Sequence, residues 1–181
     1  MFDYIRDPEE IYKKSFSLVR AEADLSGLSE AEAIVAVRLI HACGQPAIAQ
    51  NLVFSKSAVE VGRIALANRA CVLVDAEMVS FGIVRERLKK NNDIVCTLNN
   101  DGVRKVAKKL KITRSAAAVE MWIDRLDGAV VVIGNAPTAL YRLLEILKKG
   151  APTPALICGF AVGFVGATES KEALIQYATE W

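Results

Sequence analysis

Five short apolar runs constrain the fold of this chain more than any other feature. They are Leu52-Val53-Phe54-Ser55, Cys71-Val72-Leu73-Val74-Asp75, Ile94-Val95-Cys96-Thr97-Leu98, Ala129-Val130-Val131-Val132-Ile133-Gly134 and Ala155-Leu156-Ile157-Cys158-Gly159. None alternates apolar with polar residues, so a strand built from any of them is buried on both faces. Helix-forming sequence lies between them: Ala58 to Asn68, a basic stretch from Val103 to Lys111, Thr113 to Trp122, a segment opening at Pro137, and a last one near Glu169. Buried strands alternating with helices are βαβ units, whose strands run parallel under helices on both faces. The expectation is an α/β chain with an open, doubly wound, flavodoxin-like parallel sheet of five strands. It forms three layers, α/β/α, in a single domain over residues 1–181. Ligands on such sheets sit at the carboxyl ends of the strands.

Two helices are expected ahead of the first run. Asp7 caps the first, Pro8 suits its first turn, and Glu9 and Glu10 favour the positive dipole end. Ile11, Ser15, Leu18, Val19 and Glu22 then recur at helical spacing, with Ser15 interrupting the apolar face. Its hydroxyl either bonds back to a carbonyl or faces a ligand. The linker Asp24 to Leu28 leads to a capping box, Ser29 with Glu32, and Gly44 supplies the stop of the second helix. That helix holds His41, the single histidine of the chain. Ile34, Val37 and His41 fall at i, i+3 and i+7, which places His41 on the buried stripe, with Arg38 on the adjoining turn. Two readings follow: a core histidine with an ion-paired arginine, or a proton shuttle, since an unperturbed imidazole titrates near neutrality.

Three strand or helix starts invite a ligand. Gly134-Asn135-Ala136-Pro137-Thr138 ends the fourth run, and the free N–H groups of the following helix start would accept an anion, unless this is an ordinary turn. Gly159-Phe160-Ala161-Val162-Gly163-Phe164-Val165-Gly166 follows the fifth run, and its glycines permit close backbone approach without forming a dinucleotide fingerprint. Thr113-Arg114-Ser115-Ala116 sets an arginine at a helix N-terminus, either a carboxylate clamp or a surface residue paired with Glu120 or Asp124.

Composition excludes several classes. A net charge of +2, with cations scattered among acids, gives no nucleic-acid footprint. No run approaches a membrane span, and Met1-Phe2-Asp3-Tyr4 has no signal-peptide layout. Cys43, Cys71, Cys96 and Cys158 form no CxxC pair, the pattern of reduced cysteines in a cytoplasmic protein. One histidine and no cysteine pair argue against a protein-ligated metal.

Several segments, in order, resemble the precorrin-8X methylmutase family. They are Asp3-Tyr4-Ile5-Arg6-Asp7, Arg20-Ala21-Glu22-Ala23-Asp24-Leu25, Arg38-Leu39-Ile40-His41-Ala42-Cys43-Gly44, Asp75-Ala76-Glu77-Met78-Val79, Thr113-Arg114-Ser115-Ala116-Ala117-Ala118, Gly134-Asn135-Ala136-Pro137-Thr138-Ala139-Leu140, and Gly163-Phe164-Val165-Gly166-Ala167 with Glu169-Ser170-Lys171. The resemblance implies an isomerase of corrin (vitamin B12) biosynthesis that moves a methyl group from macrocycle carbon eleven to carbon twelve. The product is hydrogenobyrinic acid or its cobalt form. It further implies a flavodoxin-like homodimer with the site near the interface. The residue matching His41 is the proton donor and acceptor, those matching Ser15 and Arg38 contact the tetrapyrrole, and the one matching Arg114 meets a carboxylate. Ser115, Asn135 and Thr138 join the expected substrate rim, which must match a disc fringed with acetate and propionate groups. A rearrangement needs no cofactor and no metal. Gln45 and Ala161 depart from the family pattern, and past Trp181 that pattern continues with another strand and a glycine-rich segment. The product is expected to pass to the next corrin-pathway enzyme. A second reading is a non-catalytic corrinoid carrier of the same fold, which would need the cations but not His41.

Overall fold

The computed structural model describes residues 2–88 and 91–179. The chain divides into two compact units, one up to Val59 and one from Glu60 onward. In the first unit, helix α1 (Pro8–Glu22) starts at Asp7, whose Oδ1 accepts from the Glu10 N–H at 2.9 Å. Helix α2 (Glu30–Cys43) is closed at its start by the Ser29–Glu32 capping box and at its end by Gly44 in the left-handed region, φ +68°. These ends are where local sequence places them, because each cap bonds residues three or four apart.

The buried faces differ from expectation. Val19 of α1 packs with Val37 and Ile40 of α2 and with Ala49, and Phe16, Ala23, Leu25 and Ile48 are half-buried around them. The core stripe of α2 is Ala33, Ala36, Val37 and Ile40, whereas Ile34 and His41 are exposed. On α1, Ile11 and Leu18 are likewise exposed. The run Leu52 to Ser55 forms no strand. It lies between a 3-10 turn over Pro46–Asn51 and α3 (Ala58–Ala67), and it lacks the two-sided burial of a sheet strand, with Val53 65% exposed.

The other four runs form the sheet of the second unit: β1 (Val72–Val74), β2 (Ile94–Cys96), β3 (Val130–Ile133) and β4 (Leu156–Gly159). All pairings are parallel and the order is β2-β1-β3-β4. This is a doubly wound order whose direction of winding reverses between β1 and β3. Helices α4 (Glu77–Gly82), α5 (Val103–Leu110), α6 (Arg114–Val119), α7 (Pro137–Lys148) and α8 (Ala167–Thr179) complete the unit. Alternate strand residues serve opposite faces. Leu73, Val131 and Ile133 meet Leu140, Leu143 and Leu147 of α7, with Tyr177 of α8 and Trp122. Val72, Val74 and Val130 meet Ala65 and Leu66 of α3, with Val79 of α4 and Ile83. The α/β class with helices on both faces therefore stands, with four strands among the described residues in place of five. No helix among the described residues is long and apolar enough to cross a membrane.

The helix expected to reach Trp122 ends at Val119 and tightens into a 3-10 turn, Glu120–Arg125. Trp122 is fully buried, so its ring N–H needs a partner. Thr97, the residue after β2, supplies it. Trp122 Nε1 donates to Thr97 Oγ1 at 2.8 Å, and the Thr97 hydroxyl donates to the Ala118 carbonyl at 2.8 Å. Replacing Thr97 by valine orphans the indole N–H, and the expected loss is about 1–3 kcal/mol. Urea unfolding would show it as a lower midpoint at unchanged slope.

All four cysteines are free thiols. Burial raises the Cys71, Cys96 and Cys158 thiols above their ordinary range, Cys158 to about 11. At pH 8 only about a thousandth of Cys158 is then thiolate. Alkylation of the native protein with iodoacetamide at that pH is expected to mark the exposed Cys43 and spare Cys158, as read by peptide mass mapping.

Candidate functional site

In the first unit, three of the expected residues converge. Ser15 Oγ and His41 Nδ1 are 2.7 Å apart, joining α1 to α2. Ser15 thus bonds neither back to its own helix nor to solvent alone. The ring of His41 lies 5.4 Å from that of Phe16, edge to face at 84°, and 5.3 Å from that of Tyr12. The Arg38 guanidinium sits over the Phe16 ring, Cζ 5.5 Å from its centre. Arg38 makes no ion pair among the described residues, so it is a cation resting on an aromatic face rather than half of a salt bridge. Tyr12, Ser15, Phe16 and Val19 follow the i, i+3, i+4, i+7 rule and form the stripe of α1 that meets α2. Spacing therefore offered Tyr12 and Phe16 all along, but Ile11 and Leu18 on the adjoining stripe look equally apolar.

The geometry suits a proton carrier. A hydroxyl both donates and accepts, so Ser15 holds the imidazole in place whichever way the Nδ1 proton is assigned. Nε2 has no hydrogen-bond partner among the described residues and is left for another molecule. The exposure of His41 keeps it reachable.

In the second unit the carboxyl edge of the sheet is organised by Asp75, which directly follows β1 and is 1% exposed. Its Oδ1 accepts from the Gly134 N–H at 2.9 Å. Its Oδ2 accepts from Asn135 N–H at 3.1 Å and from Ala136 N–H at 2.7 Å. The N–H groups of the Gly134–Ala136 turn are thus taken by the protein's own carboxylate. Of the two readings of this segment, the structure fits the strand-to-helix turn, braced by an internal bridge at the β1/β3 switch point. Helix α7 has no side-chain cap from its N-cap residue, Ala136, and Asp75 instead accepts from the Ala136 N–H, which sets a negative charge beside that helix start. Gly134 allows the approach, since a Cβ there would lie 2.7 Å from Val79 Cγ2. The side chains of Asn135 and Thr138 remain exposed beside the bridge.

Thr138 is joined to the next helix start. Its Oγ1 lies 2.7 Å from Thr113 Oγ1, and the same Thr113 oxygen caps α6 by accepting from Ala116 N–H. Arg114 and Ser115 occupy the first turn of α6, Arg114 exposed and Ser115 half-buried. The two expected partners of Arg114 do not hold it. Glu120 pairs with Arg142, which also meets Glu145, and these two carboxylates raise the Arg142 pKa further. Arg114 makes no ion pair among the described residues and instead lines a recess of about 410 Å³ with Leu98, Asn99, Asn100, Gly102, Arg104 and neighbours in the β2–α5 turn. Thr138 is tied to the helix start that carries Arg114 and Ser115 by its bond to Thr113, and Asn135 lies three residues before Thr138, held by its own bond to Asp75. Ser15, Arg38 and His41 form the separate cluster of the first unit. Among the described residues no group of three His, Cys, Asp or Glu side chains could hold a metal ion.

A family model described as precorrin-8X methylmutase matches residues 10–181. The chain belongs to that family. It is 53% identical over 175 residues to the precorrin-8X methylmutase of Sinorhizobium sp., covering 97% of this chain and 83% of that one. To the precorrin-8X methylmutase of Pseudomonas aeruginosa it is 55% identical over 174 residues, covering 96% and 84%. The crystal structure of precorrin-8X methylmutase from Thermus thermophilus superposes with a TM-score of 0.83 at 40% identity, covering 93% of this chain and 82% of that one. As a member of the methylmutase family the chain is an isomerase of cobalamin biosynthesis, an enzyme of intramolecular methyl migration.

The switch-point bridge makes a direct prediction. Asp75→Ala leaves three N–H groups without their acceptor, and the expected loss of stability is about 3 kcal/mol or more. Urea unfolding measures it. A loss below about 1 kcal/mol would mean that water replaces the carboxylate without cost.

Proposed function

We propose that this methylmutase acts on precorrin-8X itself and that His41 is its proton donor and acceptor. Moving a methyl group between neighbouring ring carbons, from eleven to twelve, breaks one carbon–carbon bond and makes another, with no net change in protons or electrons. What the protein adds is control of the protonation state of the conjugated ring while the shift occurs. His41 gives a proton from Nε2 and takes one back at the same atom. Ser15 keeps the imidazole aimed during both steps, and Arg38 offers its charge to a substrate carboxylate. Such general acid–base help is worth about 10²–10⁴-fold in rate. Arg114, Ser115, Thr138 and Asn135 bind the acidic fringe of the tetrapyrrole, Arg114 through paired N–H donors. The observation that carries this reading is the Ser15–His41 bond with Nε2 unpartnered.

The metal-free substrate is favoured because the relatives from Sinorhizobium sp. and Pseudomonas aeruginosa, at 53% and 55% identity, are named for it. A homodimer is supported by apolar side chains left exposed on α4, Met78 and Phe81, and in the β4–α8 loop, Val162, Phe164 and Val165. Cytoplasmic residence is supported by the four unpaired cysteines. Hand-over of the bound product to the next corrin-pathway enzyme is supported by the exposure of His41 and of Arg114.

The test is an absorbance time course with precorrin-8X. The wild type is expected to give the hydrogenobyrinic acid spectrum. His41→Ala should bind substrate yet turn over at least 100-fold more slowly, and Ser15→Ala should fall between the two. A static bound spectrum with both wild type and His41→Ala would overturn the catalytic reading in favour of a corrinoid carrier. Turnover of the cobalt form alone would overturn the choice of substrate.

A further inference from the structure

With the N–H groups of Gly134, Asn135 and Ala136 taken by Asp75, the side chains at the carboxyl edge of the sheet gain weight as partners for a polyanionic ligand. The cations gather at one place. The recess of about 410 Å³ between the β2–α5 turn and the start of α6 is lined by Arg104, Lys105 and Arg114. Asn100 adds an amide, Asn99 donates its own to Glu77 Oε1 at 3.4 Å, and Asp101 is the carboxylate in the lining. None of the three cations forms an ion pair among the described residues. Helix α5 turns Val103 and Ala107 into the core with Leu98, Val106 and Ile112, which leaves its basic side chains on the other face. Lys108 and Lys109 point into solvent on that same helix but do not line the recess. Three unpaired cations around one concavity repel each other unless an anion joins them. A solvated basic face needs no concavity, and here one lies at the amino end of α5.

We propose that this recess is a carboxylate subsite: Arg104 and Lys105, together with Arg114, hold an acidic arm of the macrocycle. The identity of the arm rests on the methylmutase reading; the anion site itself rests on the recess. Two guanidinium groups favour a planar carboxylate, which each can meet with paired donors, while Lys105 adds an unoriented charge. The position also explains why the cap of α6 is tied to Thr138. That bond fixes the first turn of α6, and with it the backbone from which Arg114 reaches the recess.

The experiment compares the full-length wild type with Arg104→Gln/Lys105→Gln and with Lys108→Gln/Lys109→Gln. The two variants lose the same charge from the same exposed helix face, and circular dichroism checks that both fold. For precorrin-8X turnover, the recess variant is expected to show KM raised about tenfold with kcat within about twofold, while the control variant shifts KM by less than about twofold. Equal KM values in all three proteins, or equal increases in both variants, would overturn the subsite. In parallel, tricarballylate and inorganic phosphate are titrated while amide chemical shifts are followed. Tricarballylate should move the amides of Asn99 to Lys105 in the wild type and not in the recess variant. Absence of that response overturns the anion site, and an equal response to phosphate overturns its preference for carboxylates. Should the wild type fail to turn over precorrin-8X, the choice of the metal-free substrate falls, and the titration alone decides the recess.

Discussion

Asp75 is where the second unit is tied together. A carboxylate that is almost wholly buried is costly unless both oxygens are met, and here three backbone N–H groups meet them. Those donors belong to the turn leaving β3, so one side chain joins the exits of two neighbouring strands where the winding of the sheet reverses. It also supplies the negative charge that the start of α7 favours. From α7 the constraint continues through Thr138 to Thr113 and so to the first turn of α6. The backbone of Arg114 is placed by this chain of bonds.

The same bridge divides the work of binding anions. Backbone N–H groups at strand exits serve phosphates well in many doubly wound sheets, because they form compact cradles. A ligand fringed with acetate and propionate groups presents a different problem, with several planar charges spread over a broad disc. Side chains that reach outward suit it better, and guanidinium groups suit it best. This unit spends its cradle on its own carboxylate and leaves Arg104, Lys105 and Arg114 unpaired among the described residues.

The first unit addresses the proton instead. His41 is held by a hydroxyl and two aromatic rings, with no carboxylate bonded to it among the described residues. An acceptor-only partner would fix one protonation state of the ring, and a hydroxyl does not. Arg38 rests on Phe16 and keeps its charge available. The packing of α1 on α2 therefore does two things at once: Val19, Val37 and Ile40 provide the burial, and Tyr12, Ser15 and Phe16 hold the ring.

Much of this was legible from the residues in order. Asp7, the Ser29–Glu32 pair, Gly44 and Thr113 marked helix ends because capping bonds reach only a few residues. Four unbroken apolar runs marked buried parallel strands because both of their faces must be covered. Leu52 to Ser55 imitated them, since apolar composition says nothing about whether a neighbouring strand lies within reach. The family motifs pointed to His41, Ser15, Arg38 and Arg114, but what each touches was decided in three dimensions. The exposure of His41 depends on which stripe of α2 packs, and a helix with apolar residues on several faces leaves that open. Asp75 meets Gly134, Asn135 and Ala136 some sixty positions away, and Thr97 meets Trp122 across 25. By itself the sequence determined the elements, because caps and apolar runs act over a few neighbouring residues. Only the tertiary structure decided which polar groups are satisfied and which stay free for a ligand, because buried hydrogen bonds pair residues that the chain holds far apart.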